Sequence, residues 1–368
     1  MKRLSLVVFC LMIVVAVAPV VTPAPAQVQA QEDTLTVLCT PQEDWCVAMT
    51  QAFEEETGIE TSYVRMSSGE SLARIRATQD DPEFSVWWGG PADAFIAAYE
   101  EDLIEPYEPE LASVLAPNAV GVDHSWHGVY VGALGFCSNI SFLEELGIDP
   151  PTSWDDLLDP ALKSNVAMAH PATSGTAFTA FWTIVTLKAD EFEAAEEGTG
   201  YDEDGMPTQE AIDAAFEYYS ELHQNILQYT RSGAAPGQMA GTGEIAVAII
   251  FSHDCVKLQV EGFEGVVVNT FPEEGTGYEI GGMALIKNAP EPEAAKMWIE
   301  WALSPEAQVI GQDVNSLQLP TNPDTPVSEL SVNLSEVNLV DYNFVAAGMN
   351  RVEIVERFDA DIAPQPTE

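Results

Sequence analysis

TLTVLC at residues 34–39, DWCVAMTQAFEEETG at 44–58 and ETSYVRM at 60–66 decide the fold class. The first and third runs are strand-length stretches rich in β-branched and apolar residues. The run between them has helical spacing and stops at Gly58. Strand, helix, strand in so short a span is a βαβ unit, whose two strands lie parallel. The alternation continues with a helix from Ser68 to Thr78, a strand from Phe84 to Trp88, a turn at Gly89-Gly90-Pro91 and a helix from Ala92 to Glu101.

A second unit begins after a strand at Val129 to Gly135, with helices from Ser141 and Trp154, a strand at Val166 to Ala169 and a helix from Thr176 to Lys188. A long helix near Thr208 to Gln224 precedes strands at Ile245 to Phe251 and Gly265 to Thr270. The strand Gly282 to Lys287 then returns to the first unit, followed by helices at Pro292 to Leu303 and Pro305 to Gln312. The expected fold is therefore α/β, with two lobes built on mixed, largely parallel sheets and hinge strands crossing between them. The first lobe takes residues 31–133 and 278–320; the second takes 134–277 and 321–368, including the C-terminal helices. Ligands in such folds sit where the loops after strands gather, here in a cleft between the lobes.

Lys2 and Arg3 precede an apolar run from Leu4 to Val21, and Val28-Gln29-Ala30 is a small-x-small step. Residues 1–30 thus read as a secretory signal peptide cleaved before Gln31. Phe9 stands before Cys10 where a lipidation signal needs a small residue, so a freely diffusing periplasmic or secreted monomer is expected. The 59 Asp and Glu against 13 Lys and Arg give a formal net charge of −46. Such an excess disfavours nucleic acid and anionic membranes as partners and reads as a solvated acidic surface. Four cysteines follow the leader, an even number suited to disulfides in an exported chain. Cys39 and Cys46 would close a tight loop, bringing Thr40 and Gln42 to the cleft edge, and Cys137 with Cys255 form the remaining pair. No Cys or His spacing supports zinc, and no cofactor is expected.

Thr173-Ser174-Gly175-Thr176 lies between a predicted strand and a helix, so its backbone N–H groups and hydroxyls converge at a helix N-terminus, an arrangement that binds anions. An ordinary N-cap is the alternative. Ser67-Ser68-Gly69 repeats the pattern in the first lobe, and two such loops facing one cleft favour an anionic ligand. Trp88, beside Gly89 and Gly90, is a candidate aromatic wall or a core residue. Among Arg65, Arg74 and Arg76, at most one reaches the ligand, because Arg74 and Arg76 stand two residues apart on one helix.

Several loops resemble the periplasmic binding proteins that include ferric-ion, polyamine, thiamine and organophosphate receptors. The resemblance runs from Leu35 to about Pro320 and rests on Ser67 to Glu70 with LARIR at 72–76, VWWGG at 86–90, PATSGT at 171–176 and EGTGYE at 274–279. It implies a two-lobed receptor that hands a small solute to an ABC transporter permease, and is nearest to hexose-phosphate receptors. The resemblance extends to the His-Asp step at His253 and Asp254 and to Glu274, which would recognise the non-phosphate end of the ligand, with Glu279 in place of Glu274 as the alternative. Ferric receptors resemble one another in adjacent tyrosines just after the strand matching Ile245 to Phe251, where this chain has His253 and Asp254; Tyr218-Tyr219 lies within a helical pattern instead. A polyamine receptor is a further alternative. A secreted hydrolase built on Ser252-His253-Asp254 is disfavoured, because consecutive side chains diverge and cannot form a nucleophile, base and orienter chain.

Overall fold

The structure, a computed structural model, describes residues 33–196 and 198–366; the expected leader lies outside the described residues. The chain opens with β1 (Thr34–Cys39), α1 (Glu43–Thr57), β2 (Glu60–Arg65), α2 (Ser68–Ala77), β3 (Val86–Pro91) and α3 (Ala92–Glu100). A short β4 (Ile104–Glu105) precedes the long β5 (His127–Asn139) and α4 (Ile140–Leu146). Next come β6 (Val166–Ala169), α5 (Gly175–Ala195), α6 (Gln209–Leu222), β7 (Ile226–Thr230), α7 (Ala235–Thr242), β8 (Val247–Phe251), α8 (Ser252–Leu258) and β9 (Val267–Thr270). The chain then returns through β10 (Tyr278–Ile286), α9 (Pro292–Ala302), α10 (Pro305–Gln308), α11 (Ile310–Asp313) and β11 (Leu319–Pro320), and closes with α12 (Phe344–Asp361). No helix among the described residues is long and apolar enough to cross a membrane.

The main strand order is β2-β1-β3-β10-β5-β8-β6-β7. β1 runs parallel to β2 and β3, and β6 runs parallel to β7 and β8, as βαβ connections require. The two parallel groups are joined by the antiparallel pair β5 and β10. The first part of β5, from His127 to Ala133, pairs with β10, and its second part, from Leu134 to Ser138, pairs with β8. One strand thus crosses from one half of the molecule to the other.

Each half has its own apolar core. The first gathers Leu35, Val37, Phe53, Trp87, Trp88, Phe95 and Trp298; the second gathers Phe136, Trp154, Phe181, Tyr219 and Phe358. Helix α12 touches both halves. Ala346, Ala347, Ile354 and Phe358 enter the second core, while Arg351 forms an ion pair with Asp93 of α3 at 2.5 Å. Both disulfides are present, Cys39–Cys46 tying β1 to α1 and Cys137–Cys255 tying β5 to α8.

Candidate functional site

Loops from both halves line one partly open cavity. One end is a rim of hydroxyls and backbone N–H groups. Ser67 and Ser68 open α2, Ser174, Gly175 and Thr176 open α5, and Ser232 and Gly233 lead into α7, so three helix N-termini meet there. The loops also bond to each other: Gly175 N donates to Ser68 Oγ at 2.8 Å, and Gly69 N donates to the Thr173 carbonyl at 3.0 Å. Only glycine permits this approach. A Cβ on Gly69 would lie 2.2 Å from the Ala172 carbonyl oxygen, and one on Gly233 would lie 2.1 Å from Thr176 Oγ1. Ser174 occupies the N-cap position of α5, yet its side chain makes no capping bond. Its hydroxyl is therefore available to a ligand instead of being used by its own helix.

The other end is acidic and deeply buried. His253 and Asp254 sit in the first turn of α8, directly after β8, and Glu279 projects from β10. His253 Nε2 lies 3.9 Å from Asp254 Oδ1 and 3.9 Å from Glu279 Oε1. Loss of solvent pulls the His253 imidazole down to about 3 and pushes the Asp254 carboxyl up to about 7, while Glu279 moves well above the usual carboxylate range. His253 is thus neutral at ordinary pH. Gln42 Nε2 donates to Asp254 Oδ1 in the cavity wall. Two buried polar atoms at this end, Gln42 Oε1 and His253 Nδ1, have no partner among the described residues. Arg65 also reaches the cavity, its Nε donating to the Pro41 carbonyl at 2.8 Å.

Of the residues singled out in the sequence, Thr40, Gln42, Ser67, Ser68, Ser174, Thr176, His253 and Asp254 line this one cavity, as does Glu279. Three lie elsewhere. Trp88 is 1 % exposed and turns into the first core, its ring edge-on to Trp45 at 5.1 Å. Thr173 uses its hydroxyl on the backbone carbonyls of His170 and Arg231, fixing the loop from behind. Glu274 accepts from Ser153 Oγ at 2.9 Å and from Trp154 N at 2.6 Å, so it holds the turn before Asp155 and does not face the cavity. Arg74 and Arg76 form surface ion pairs with Glu83 and Glu101, leaving Arg65 as the arginine at the cavity among the three.

Tyr130, Ser232, Gly233 and Gln318 are cavity residues that the sequence reading passed over. Ser232-Gly233 carries the same signal as Ser174-Gly175, a hydroxyl and a glycine before a helix. It was hidden because APGQMAGT, with Pro236 and glycines at 237 and 241, does not look helical. Tyr130 faces the cavity from β5, where its hydroxyl accepts from Gly90 N at 2.8 Å.

The model of the bacterial extracellular solute-binding protein family matches residues 48–329. An uncharacterized protein of Haemophilus influenzae is 33 % identical over 336 residues, covering 89 % of this chain and 90 % of that one. The solved periplasmic binding protein AfuA of Actinobacillus pleuropneumoniae, with exogenous fructose-6-phosphate bound, is 33 % identical at a TM-score of 0.79 and covers 89 % of this chain and 98 % of its own. The periplasmic binding protein P5PA is 28 % identical at a TM-score of 0.78, with 90 % and 100 % covered. These neighbours share the two-lobed fold of periplasmic solute receptors and are not enzymes. With its cavity between two sheet halves, the chain belongs to the bacterial extracellular solute-binding protein family and is the substrate-binding component of an ABC importer.

Proposed function

We propose that the cavity captures a phosphorylated sugar of hexose size, with the phosphate at the hydroxyl rim and the sugar hydroxyls at Asp254, His253, Glu279 and Gln42. The observation that carries this reading is the meeting of three helix N-termini with the side chains of Ser174, Thr176 and Ser232 at one end of a cavity whose other end holds acceptors. Partial positive charge and free donors suit a phosphate. Carboxyl groups suit O–H donors and repel a second anion. The fructose-6-phosphate bound to AfuA is consistent with the same division of labour. In this reading the lobes are 31–133 with 278–320 and 134–277 with 321–368, and the link between them runs through β5 and β10. Arg65 supplies a further cation to the ligand.

Ferric iron fits this site poorly. Tyr130 is the one tyrosine in the cavity lining, and burial drives its phenol well above the ordinary range, against phenolate formation. Tyr218 and Tyr219 belong to the second core, where the Tyr218 hydroxyl donates to the Trp154 carbonyl. Among the described residues no group of three or more His, Cys, Asp and Glu could hold a metal ion. A polyamine would place its cations against three helix N-termini and Arg65.

Calorimetry with glucose 6-phosphate, inorganic phosphate, ferric citrate and spermidine tests the reading. Asp254→Ala is expected to weaken glucose 6-phosphate by about 1–3 kcal/mol and to leave inorganic phosphate nearly unchanged. Equal affinities of wild type and variant for the sugar phosphate, or tight ferric binding, would overturn it.

A pH dependence follows from the same carboxyl. A carboxyl in an open, wet cleft titrates in the ordinary range, whereas burial in the site pushes Asp254 up to about 7. Closing without ligand therefore takes up a proton, and becomes less favourable as pH rises from about 4 to 7. Small-angle scattering of ligand-free protein should show a more compact particle at pH 5 than at pH 8; Asp254→Asn should reduce that difference, and Asp254→Asn with Glu279→Gln, which removes both raised carboxyls, should abolish most of it. A radius of gyration independent of pH in the wild type would contradict the argument.

A further inference from the structure

A second, partly open pocket of about 220 Å³ adjoins the first and shares three lining residues with it, Gln42, Ala234 and Asp254. Its other lining residues are Ala235, Gln238, Lys257, Leu258 and Glu261. Gln42 and Asp254 line both spaces, and the side-chain bond between them, which joins one half of the molecule to the other, lies on the shared wall. Gln42 Oε1 is buried at this partition with no hydrogen-bond partner, so the partition holds an unsatisfied acceptor that an incoming O–H group would satisfy. Lys257 stands behind it, bonded to Asp44 and to the Val314 carbonyl. The second pocket combines apolar surface from Leu258 and the two alanines with the amide of Gln238, the ammonium of Lys257 and the carboxylate of Glu261, 3.6 Å from that ammonium. That is the mixture that suits a sugar ring, with C–H faces on the aliphatic side and hydroxyls on the polar groups.

We propose that the Gln42–Asp254 contact is a movable partition and that the site extends beyond it to seat a second sugar ring, so that phosphorylated disaccharides are bound as well as phosphorylated monosaccharides. This rests on the reading of the first cavity as a sugar-phosphate site. With the 6-phosphate at the hydroxyl rim, the side of the ring away from C6, which carries C1 to C3, faces the acidic end, and a substituent on C1 has room to continue into the second pocket.

The probes are glucose 6-phosphate and trehalose 6-phosphate, titrated calorimetrically into the wild type and into Gln238→Trp. Gln238 is exposed on α7 and does not line the first cavity, so the tryptophan obstructs only the second pocket. Trehalose 6-phosphate should bind the wild type, and Gln238→Trp should weaken it about tenfold or more while leaving glucose 6-phosphate within about twofold. The extension is overturned if glucose 6-phosphate binds and trehalose 6-phosphate does not, if the variant leaves trehalose 6-phosphate unchanged, or if it weakens both ligands equally. Failure of both ligands to bind the wild type would overturn the sugar-phosphate reading itself and the extension with it.

Discussion

Arg351→Met is expected to destabilise the protein by about 3–5 kcal/mol at pH 8, because it strands a carboxylate in the interior. Asp93 is 0 % exposed and Arg351 is 3 % exposed. The guanidinium bonds Asp93 through Nη1 and lies over the Phe178 ring, 4.2 Å from its centroid. Burial pushes the Asp93 carboxyl up, and the pull of Arg351 works against that push. Without the arginine, folding above the ordinary carboxylate range must either bury a bare charge or take up a proton. The unfolded chain holds fewer protons than the folded variant there, so the variant loses stability as pH rises and recovers part of it toward pH 5. Replacing both partners, Asp93→Leu with Arg351→Met, removes the charge as well as its counterion and should recover much of the loss. Denaturant unfolding at pH 5 and pH 8 decides it: a single variant within about 1 kcal/mol of wild type at pH 8 would show that the pair carries no such weight. The position matters for function because α12 bridges α3 of the first half and the core of the second.

The alternation of strands and helices from Thr34 to Glu101 was legible because each element carries its own signal: β-branched runs, helical spacing and glycine stops. The segments around β7, α7 and α8 were not. Pro236 and two glycines conceal α7, and SHDCVKL is too short to display a helical period, so both follow from packing against β8. The hydroxyl loops were readable for the same local reason, since a strand, a Ser-Gly or Ser-Ser step and a helix lie together in the chain. Side-chain direction was harder. Trp88 follows VW in a strand whose every residue is buried, so alternation cannot tell core from cavity. Glu274 and Glu279 flank one turn, and the choice between them depends on where β10 begins: Tyr278 pairs with Ala133, which makes Glu279 the carboxyl on the crossing strand. Gln318 enters the cavity from a loop between α11 and β11, with no pattern around it that points to a ligand.

Loss of the Cys137–Cys255 bridge should cost roughly 4–5 kcal/mol, about twice the cost of losing Cys39–Cys46, from chain entropy alone. The first spans 118 residues of sequence and the second only 7, so the first removes far more freedom from the unfolded chain. Packing adds to the difference in the same direction. Cys137 and Cys255 are both 0 % exposed and sit in a small core with Ala167, Ala248 and Ile250. Leu258 shares that core and Lys257 bonds Asp44, but the bridge alone ties α8 covalently to β5, and Cys255 directly follows His253 and Asp254. Alanine pairs at each bridge, compared by urea unfolding, provide the test; the alanines avoid the free thiols that reduction would leave. The Cys39–Cys46 loop acts instead on the Thr40 to Gln42 wall of the cavity, so its removal should weaken ligand more than its small stability cost implies. Equal unfolding costs for the two bridges would mean that residual structure in the unfolded chain, and not loop length, sets their worth.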